Sequence, residues 1–296
     1  MDFYPITLQD KKLFDNFLAG RHHDLITYNF TNLFLWRQWC RFSWQIINDT
    51  LCINSDYNNQ NMMLVPISPN DTLVLQTTEI LMDYYRHTQT PFILTEVSQT
   101  MLDLYEHHWP GRFQAIAHRD EANYIYNRQD LAQLIGKRYN SKRNHVNRFE
   151  REYPNYQFVP LTKDLIPRCK ERQTFWRLSH GATDIELILE EQGVLDALNH
   201  FEELGCSGAC LLLDDVVEAF TIGDQLNEDT WAVHIEKGNT EINGSFQAIN
   251  QFFVRDYCAD AVFINRAEDT GNEGLRRSKL SYHPCRLEPK YMLQLK

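Results

Sequence analysis

The segment GKRYNSKRNHVNRFEREY, residues 136–153, is the most basic part of an otherwise acidic chain. It contains six Lys or Arg against two Glu, whereas the whole chain of 296 residues carries a formal net charge of −11. Helical spacing groups four apolar or aromatic side chains on one face: Tyr139, Val146, Phe149 and Tyr153. We therefore predict an amphipathic helix that ends at Pro154 and leads into a strand at residues 156–161. It is either a solvated connecting helix or the basic wall of an anion-binding cleft between two halves of the chain.

Length and charge limit the classes of protein that the chain can belong to. A chain of 296 residues is long for one hydrophobic core and predicts two domains. The strongly negative net charge argues against a protein that wraps nucleic acid over its whole surface, because phosphate binding needs a broad positive footprint. We therefore expect no DNA partner, whereas a local basic cleft remains compatible with the charge.

The N-terminus and the cysteines indicate a cytoplasmic protein. The opening MDFYPITLQDKK has no apolar signal-peptide core, and no apolar run approaches the length that spans a bilayer. Seven cysteines, an odd number, are expected to be free thiols in a reducing compartment. Cys206 and Cys210 lack a second pair or a nearby histidine, so we expect small buried hydrophobes and no metal site.

Hydrophobic periodicity predicts two halves of mixed helix and strand. We expect α+β domains at residues 1–127 and 128–296, each with a mixed central sheet flanked by helices, the second beginning at the basic helix. Asn48-Asp49 and Asp214-Asp215 predict tight hairpins. Gly193 predicts a break in a helix over residues 184–204, and residues 286–295 predict one closing strand of the second domain.

Two segments of the second half predict a binding site. A strand at residues 231–236, a glycine-containing loop and a helix beginning at Ser245 form the arrangement that binds anions at a helix N-terminus, although many ordinary capped helices look the same. Further on, FINRAEDTGNEGLRRSKLSYHP, residues 263–284, gathers charged groups, a tyrosine and a histidine just past a buried strand. Open sheets place ligands there. A charged surface loop is the other interpretation.

Three motifs give the chain a resemblance to a known family: YNSKRNHVNRFEREYP, WAVHIEKGNTEINGSF and NRAEDTGNEGLRRSKLSYHP. Together they resemble the phosphatidylglycerol lysyltransferase C-terminal-like family, which is related to the GNAT acyltransferases and more distantly to the Fem-type peptidyltransferases. The resemblance implies tandem GNAT-like domains without a membrane domain. It implies an acyl- or aminoacyltransferase that moves an acyl group from a phosphorylated carrier, acyl-CoA or aminoacyl-tRNA, to a small-molecule amine or hydroxyl acceptor.

The resemblance also implies roles for individual residues. The turn Asn243, Gly244 and Ser245 would contact phosphate, and Asn265 would lie on the donor side. Strand amides around His234 would hold the carbonyl, Glu236 or His234 would be the base, and Tyr282 would protonate the leaving group. Four cations would hold carrier phosphates: Lys142, Arg143, Arg276 and Lys279. Glu236 could equally be a structural ion-pair partner, and His234 could be satisfied within the sheet.

A non-catalytic binding module is the alternative function. The same cleft could serve as a receptor for an anionic metabolite or a carrier arm, because a fold does not fix an activity. The pyrophosphate-binding signature Q/R-x-x-G-x-G/A of GNAT enzymes is absent before Ser245, which favours this alternative. The tyrosine and acidic residues of the last motif favour an enzyme.

Overall fold

The chain divides into two compact units. The computed structural model describes the backbone of residues 1–57, 59–181 and 184–296, with the side chains of these residues except 180 and 181. The first unit comprises residues 1–123 and 288–296, and the second comprises residues 124–287. No helix in these described ranges is long and apolar enough to cross a membrane.

The first unit is a seven-stranded sheet flanked by helices. Its elements are β1 (Tyr4–Pro5), α1 (Lys11–Leu18), α2 (Phe30–Trp36), β2 (Ser43–Ile47), β3 (Thr50–Tyr57), β4 (Gln60–Leu64), α3 (Asp71–His87), β5 (Ile93–Val97), α4 (Gln99–His108), β6 (Phe113–Ala117) and, from the end of the chain, β14 (Tyr291–Leu295). The strand order is β1-β2-β3-β4-β5-β14-β6, and among the strands of the described residues in this sheet only β4 and β5 pair in parallel. Helix α3 makes the crossover between that parallel pair, as a parallel connection requires.

The second unit repeats this arrangement. Its elements are β7 (Asn123–Asn127), α5 (Arg128–Gln133), α6 (Asn140–Glu152), β8 (Gln157–Pro160), α7 (Ile166–Gly181), α8 (Ile185–Asn199), α9 (Phe201–Leu204), β9 (Ser207–Leu213), β10 (Val216–Gln225), β11 (Thr230–Gly238), α10 (Ser245–Tyr257), β12 (Phe263–Asn265), α11 (Glu273–Leu280) and β13 (Arg286–Glu288). The order β8-β9-β10-β11-β12-β7-β13 matches that of the first sheet, with β11 and β12 as the parallel pair and α10 as its crossover. The expected duplication of an α+β architecture is therefore present.

Local sequence signals predicted several elements correctly. Asn48 and Asp49 have φ of 49° and 53°, and Asp214 and Asp215 have φ of 47° and 64°. Positive φ at both central residues is the type I′ hairpin geometry. The basic helix also buries its predicted face, because Tyr139, Val146 and Phe149 all lie in the core of the second unit.

Two expectations about the secondary structure were wrong. Helix α8 runs unbroken through Gly193, which is buried within it, and the chain breaks at His200 instead. One helical glycine costs only about 1 kcal/mol relative to alanine, which packing readily offsets. The closing strand is two strands, β13 and β14, separated around Pro289, which has no N–H for a sheet ladder.

The C-terminal strand β14 belongs to the first unit, whereas the sequence assigned all of residues 128–296 to the second domain. It lies between β5 and β6, and its central residue, Leu293, is fully buried opposite Leu94 and Ala115. In the second unit the corresponding place is taken by β7, which follows β6 directly in sequence. Each sheet is thus completed by a strand that is distant in sequence from its neighbours in that sheet.

We predict that Leu293→Ala destabilises the first unit by about 2 to 5 kcal/mol, because it opens a cavity between β5 and β6. Hydrogen exchange of the amides in those two strands measures the effect. Gln294→Ala, at the half-buried neighbouring position, is the matched control. Unchanged protection of β5 and β6 in the Leu293 variant would contradict the placement of β14.

Candidate functional site

The parallel strands β11 and β12 part after only three residue pairs. Their pairing runs from Thr230 with Phe263 to Ala232 with Asn265, but β11 continues to Gly238. The chain beyond β12 turns away at Ala267, which has a φ of 54°. The polar edge of β11 beyond Ala232 is therefore left unpaired by β12, at the carboxyl ends of both strands, where open sheets place ligands.

A β-bulge in β11 lies at the same point. Ile235 pairs with Ile222 and Val233 pairs with Gly223, so His234 is the extra residue. Its Nε2 lies 2.7 Å from Asp224 Oδ1 of β10, and its side chain is fully buried. The Nε2 of His234 thus has a hydrogen-bond partner within the sheet. This agrees with the structural role that the sequence left open as the alternative to catalysis. Bulges of this kind are common beside active sites.

Glu236 and Arg266 form a buried ion pair in the opening between β11 and β12. Their charged groups lie 2.7 Å apart, and the side chains are only 13% and 11% exposed. The other oxygen of Glu236 accepts a hydrogen bond from Asn250 Nδ2 of α10 at 2.8 Å. Both carboxylate oxygens therefore already accept hydrogen bonds, which weakens the expectation that Glu236 acts as a base and agrees with its alternative role as an ion-pair partner.

Two cations contact the ring of Tyr282. Lys142 Nζ of α6 is 4.2 Å from the centroid of its ring, and Arg266 Cζ is 4.8 Å from it. The tyrosine is 3% exposed, and burial raises the pKa of its hydroxyl well above the ordinary value. Lys142 is 9% exposed, and burial together with the charge of Arg266 lowers the pKa of its ammonium. Among the residues that the structure describes, we find no hydrogen bond or ion pair made by this ammonium.

Lys279 holds the loop that follows β12. It is 8% exposed, and its ammonium donates to the main-chain oxygens of Arg266 and, at 2.6 Å, of Glu268. Burial, followed by the charge of Arg266, lowers the pKa of Lys279 to about 8. The Tyr126 hydroxyl in turn donates to Lys279 O at 2.9 Å. The expected phosphate ligand Lys279 is thus already engaged with two carbonyls.

Arg276 is also engaged, with the buried Asp269. Its Nη2 and Nε lie 2.7 Å and 3.0 Å from the two carboxylate oxygens, and Tyr124 donates to the same carboxylate at 2.6 Å. Burial would raise the pKa of Asp269, but the hydrogen bonds from Arg276 and Tyr124 outweigh it and hold that pKa below its ordinary value. Asn265, also buried, accepts a hydrogen bond from Ala267 N at 2.9 Å.

These contacts leave an excess of buried positive charge. Arg276 matches the charge of Asp269, and Glu236 matches that of Arg266. Lys142 remains without a carboxylate partner among the described residues and is 9% exposed, whereas the charge of Lys279 is opposed by the nearby Glu268 and by the two carbonyls that it contacts. Burying a charge without a partner is costly, so such a cluster favours an anionic ligand.

The turn that precedes α10 lies under α6. Gly244 has a φ of 86°, and a Cβ at this position would lie 2.4 Å from His145 O and 2.9 Å from Phe149 Cβ. Ser245 is 1% exposed and donates to Asn239 O at 2.9 Å, while Asn243 Oδ1 lies 3.1 Å from His145 Nδ1. Helix α6 thus packs on the turn at which the sequence expected a phosphate.

The structure brings together some of the expected site residues and not others. Lys142, Glu236 and Tyr282 gather around Arg266. Arg143 instead binds Leu134 O and Asn140 Oδ1. In the described ranges no cluster of three or more His, Cys, Asp or Glu is arranged to hold a metal ion.

Sequence reasoning missed Arg266 and Asn250. Arg266 directly follows the last residue of β12, so the rule that ligands bind past the carboxyl ends of strands would have selected it. Asn250 is a polar residue, 2% exposed, inside the apolar stripe of α10. Its Oδ1 is buried and has no hydrogen-bond partner among the described residues. A polar residue within a buried helical stripe is the signal that could have identified it.

The fold defines a class of protein, that of two GNAT-like domains in tandem. The expected fold class is confirmed. A tandem GNAT protein from the clavulanic acid pathway aligns over 99% of this chain and 98% of its own, at 8% identity and a TM-score of 0.50. FemX aligns over 100% and 98%, at 9% identity and a TM-score of 0.64. At these identities the likeness concerns the fold alone.

The chain belongs to the family described as phosphatidylglycerol lysyltransferase, C-terminal, whose model matches residues 21–294. The resemblance noted in the sequence is therefore confirmed, and with it, at the level of the family, the expectation of an acyl- or aminoacyltransferase. An uncharacterized protein of Mycoplasmoides gallisepticum is 22% identical over 183 residues, which span 61% of this chain and 58% of that relative. The matched part is thus less than two thirds of that relative's length.

Two further solved structures share the fold of this chain. A conserved protein of unknown function from Bacteroides thetaiotaomicron is 33% identical, covers 100% of both chains and has a TM-score of 0.93. The C-terminal domain of a putative lysylphosphatidylglycerol synthetase from Agrobacterium fabrum covers 97% of this chain and 92% of its own, at 13% identity and a TM-score of 0.67.

We predict that Gly244→Ala destabilises the second unit more than Gly205→Ala does. Both glycines have positive φ, 86° and 72°, but a Cβ at position 205 meets nothing within 4 Å. The Gly205 variant should cost about 1 to 3 kcal/mol from strain alone, and the Gly244 variant should cost more because α6 must move. Urea unfolding measures both, and equal costs would contradict the close packing of α6 on this turn.

We predict that Asp269→Asn costs about 1 to 3 kcal/mol at neutral pH, because a buried, charge-assisted hydrogen-bond network loses its anion. The lowered pKa of Asp269 stabilises the folded state above the unfolded pKa of about 4. This advantage is lost as the pH falls through the lowered, folded pKa. Urea unfolding at pH 7, 5 and 3 should show the difference from wild type shrinking only at acid pH. A difference that does not depend on pH would contradict this account, and the exposed Asp260→Asn is the control.

Proposed function

We propose that the second unit catalyses acyl transfer, with an aminoacyl ester of a phosphorylated carrier as donor and an amine or hydroxyl as acceptor. The single observation that carries the proposal is the excess of buried positive charge where β11 and β12 part. Family membership supports the reaction class, because both the family description and the Agrobacterium fabrum relative name lysyl transfer to a lipid.

The charge of the cluster supports an anionic carrier. Lys142 lies on one side of the Tyr282 ring and Arg266 contacts the same ring, while Glu236 offsets only one of these cations. An incoming phosphate would be compensated by the remaining positive charge, and hydrogen bonds between charged groups are about twice as strong as neutral ones. In this proposal Lys142 and Arg266 bind the carrier, whereas Lys279 and Arg276 hold the loop that positions Arg266.

The packing of α6 favours aminoacyl-tRNA over acyl-CoA as the donor. A pyrophosphate bound at the N-terminus of α10 would need the amides around Gly244 and Ser245. Both residues are buried, and α6 lies against Gly244. A donor that approaches through the opening between β11 and β12 avoids this obstacle.

Acyl transfer also needs hydrogen-bond donors for the carbonyl oxygen, and the main chain of β11 can supply them. Beyond Ala232 its edge is not paired with β12, so amides there are suited to a carbonyl oxygen as negative charge develops on it. The leaving oxygen needs a proton, for which Tyr282 and Lys142 are the two candidates, since the lysine Nζ lies 4.2 Å from the tyrosine ring centroid. The attacking amine or hydroxyl loses its proton to solvent.

A binding module without catalysis is the second candidate, and one observation favours it. Both oxygens of Glu236 accept hydrogen bonds, and the Nε2 of His234 is paired with Asp224, so neither proposed base is fully available. Such a protein would hold the anionic carrier in the same opening and release it unchanged.

The test compares donors first. We expect labelled aminoacyl-tRNA to lose its amino acid to an added amine or hydroxyl acceptor in the presence of the full-length chain, and acyl-CoA thioesters to be inert. Retention of tRNA without transfer would indicate the binding module. If neither donor is bound or consumed, the proposed function is wrong.

A matched pair of double variants tests whether the reaction takes place at the ion pair of Glu236 and Arg266. Replacing Glu236 and Arg266 together with Gln removes the buried ion pair without leaving a lone buried charge. We expect kcat/KM to fall about 100-fold or more, in line with the loss of positioned charge stabilisation. The control replaces Arg148 and Glu152 with Gln, because this pair has the same 2.7 Å separation on the exposed face of α6. Equal activities of the two double variants would contradict a site at Arg266.

A further inference from the structure

Lys142 is a cation of the second unit that is largely buried although its ammonium has no carboxylate partner among the described residues. It lies on the buried face of α6, with Tyr139 and Val146 one turn away on either side, and is 9% exposed. Its ammonium contacts the Tyr282 ring, and no carboxylate or carbonyl among the residues that the structure describes accepts a hydrogen bond from it. Lysine is rarely buried without a partner, and a methionine would fill the same space without a charge.

The surroundings of Lys142 make it an unusual lysine. The groups that face it are Tyr282 and Arg266, and Glu236 is already engaged by Arg266. Tyr139 and His145 lie one turn away on its own helix. The nearest charge is therefore a cation, which together with burial disfavours the ammonium and lowers its pKa. A group held in this way gives up a proton more readily than an exposed lysine.

Tyr282 is less suited to that role. Its hydroxyl is buried, and burial raises its pKa despite the neighbouring Arg266. A phenol with a raised pKa is a weaker acid than a lysine with a lowered one. The ring of Tyr282 nevertheless contacts the ammonium of Lys142, whose Nζ lies 4.2 Å from the ring centroid. Such a contact needs the aromatic face and not the hydroxyl.

We propose that Lys142 is the proton donor to the leaving oxygen in the transfer proposed above, and that Tyr282 is a positioning residue for its ammonium. The inference rests on the proposed function and adds a catalytic residue to it. In the step, the acceptor's nitrogen or oxygen bonds to the carbonyl carbon, and the carbon–oxygen ester bond to the carrier breaks. A proton of Lys142 Nζ passes to the released carrier oxygen. Lys142 regains a proton from solvent, to which the acceptor has lost its own.

Variants of Lys142 separate proton donation from carrier binding. We expect Lys142→Met to lower kcat about 100-fold or more, as loss of a general acid does, and also to raise KM for the aminoacyl donor, because it removes one of the two charges that bind the carrier. Lys142→Arg keeps the charge but holds its proton too tightly, so KM should be preserved while kcat stays low. Lys137→Met, at an exposed lysine just before α6, is the control and should leave both constants unchanged.

Variants of Tyr282 test the positioning role. Tyr282→Phe keeps the aromatic face and should retain kcat within about threefold, whereas Tyr282→Leu removes the face and should lose most of it. The wild-type kcat should fall as the pH rises through the lowered pKa of Lys142, because only the ammonium can donate. The low residual kcat of Lys142→Arg should lack this alkaline fall.

Several results would overturn the inference while leaving the proposed function intact. A raised KM with unchanged kcat in Lys142→Met would make Lys142 a binding residue without a catalytic role, and a loss in Tyr282→Phe as large as that in Lys142→Met would make the tyrosine the acid. An NMR titration of the Lys142 side chain in the full-length protein tests the premise without catalysis, because an ordinary lysine pKa of about 10.4 would contradict it. Absence of transfer by the wild-type protein with every donor would contradict the proposed function itself.

Discussion

The ion pair between Glu236 and Arg266 is the interaction on which the candidate site of the second unit depends. It lies where β11 and β12 stop pairing, and it joins a residue of β11 to the residue that directly follows β12. Asn250 fixes the carboxylate from α10, and Lys279 holds the main chain of Arg266 through its carbonyl oxygen. Apolar residues in place of a buried ion pair are often at least as stable. Stability alone therefore does not explain the pair, which agrees with the role in carrier binding that we propose for Arg266.

Helix α6 connects the most basic segment of the sequence with the chemistry proposed for the site. Its apolar face packs in the core, and its backbone lies against Gly244 in the turn before α10. The same buried face carries Lys142 into the opening beside Tyr282. One helix thus both covers the turn before α10 and supplies the cation beside Tyr282.

Much of the fold could be predicted because its signals are local. Pairs of Asn or Asp residues with positive φ form the turns at Asn48 and Asp214. The helix beginning at Ser245 follows Gly244, whose positive φ favours glycine. The position of β14 was not predictable in the same way. Its pairing with β5 and β6 joins residues about 170 to 200 positions apart, and the alternation of its own side chains does not identify those partners.

The site was predictable only in part, for a related reason. Residue types identified Lys142, Glu236 and Tyr282, which the structure gathers around Arg266. Whether a charged residue is available depends on its tertiary partners, and the sequence could not show that Lys279 and Arg276 are engaged with the loop after β12. Arg266 was overlooked because it lies among other charged residues of the last motif.

The most direct test of the central claim is a crystal structure of the full-length chain with a non-hydrolysable aminoacyl nucleotide that carries a 5′-phosphate. The account predicts density in the second unit between β11 and the loop after β12, with an anionic oxygen near Arg266 and Lys142. The analogue bound instead at the turn before α10, or elsewhere on the second unit with Lys142 and Arg266 unoccupied, would contradict it.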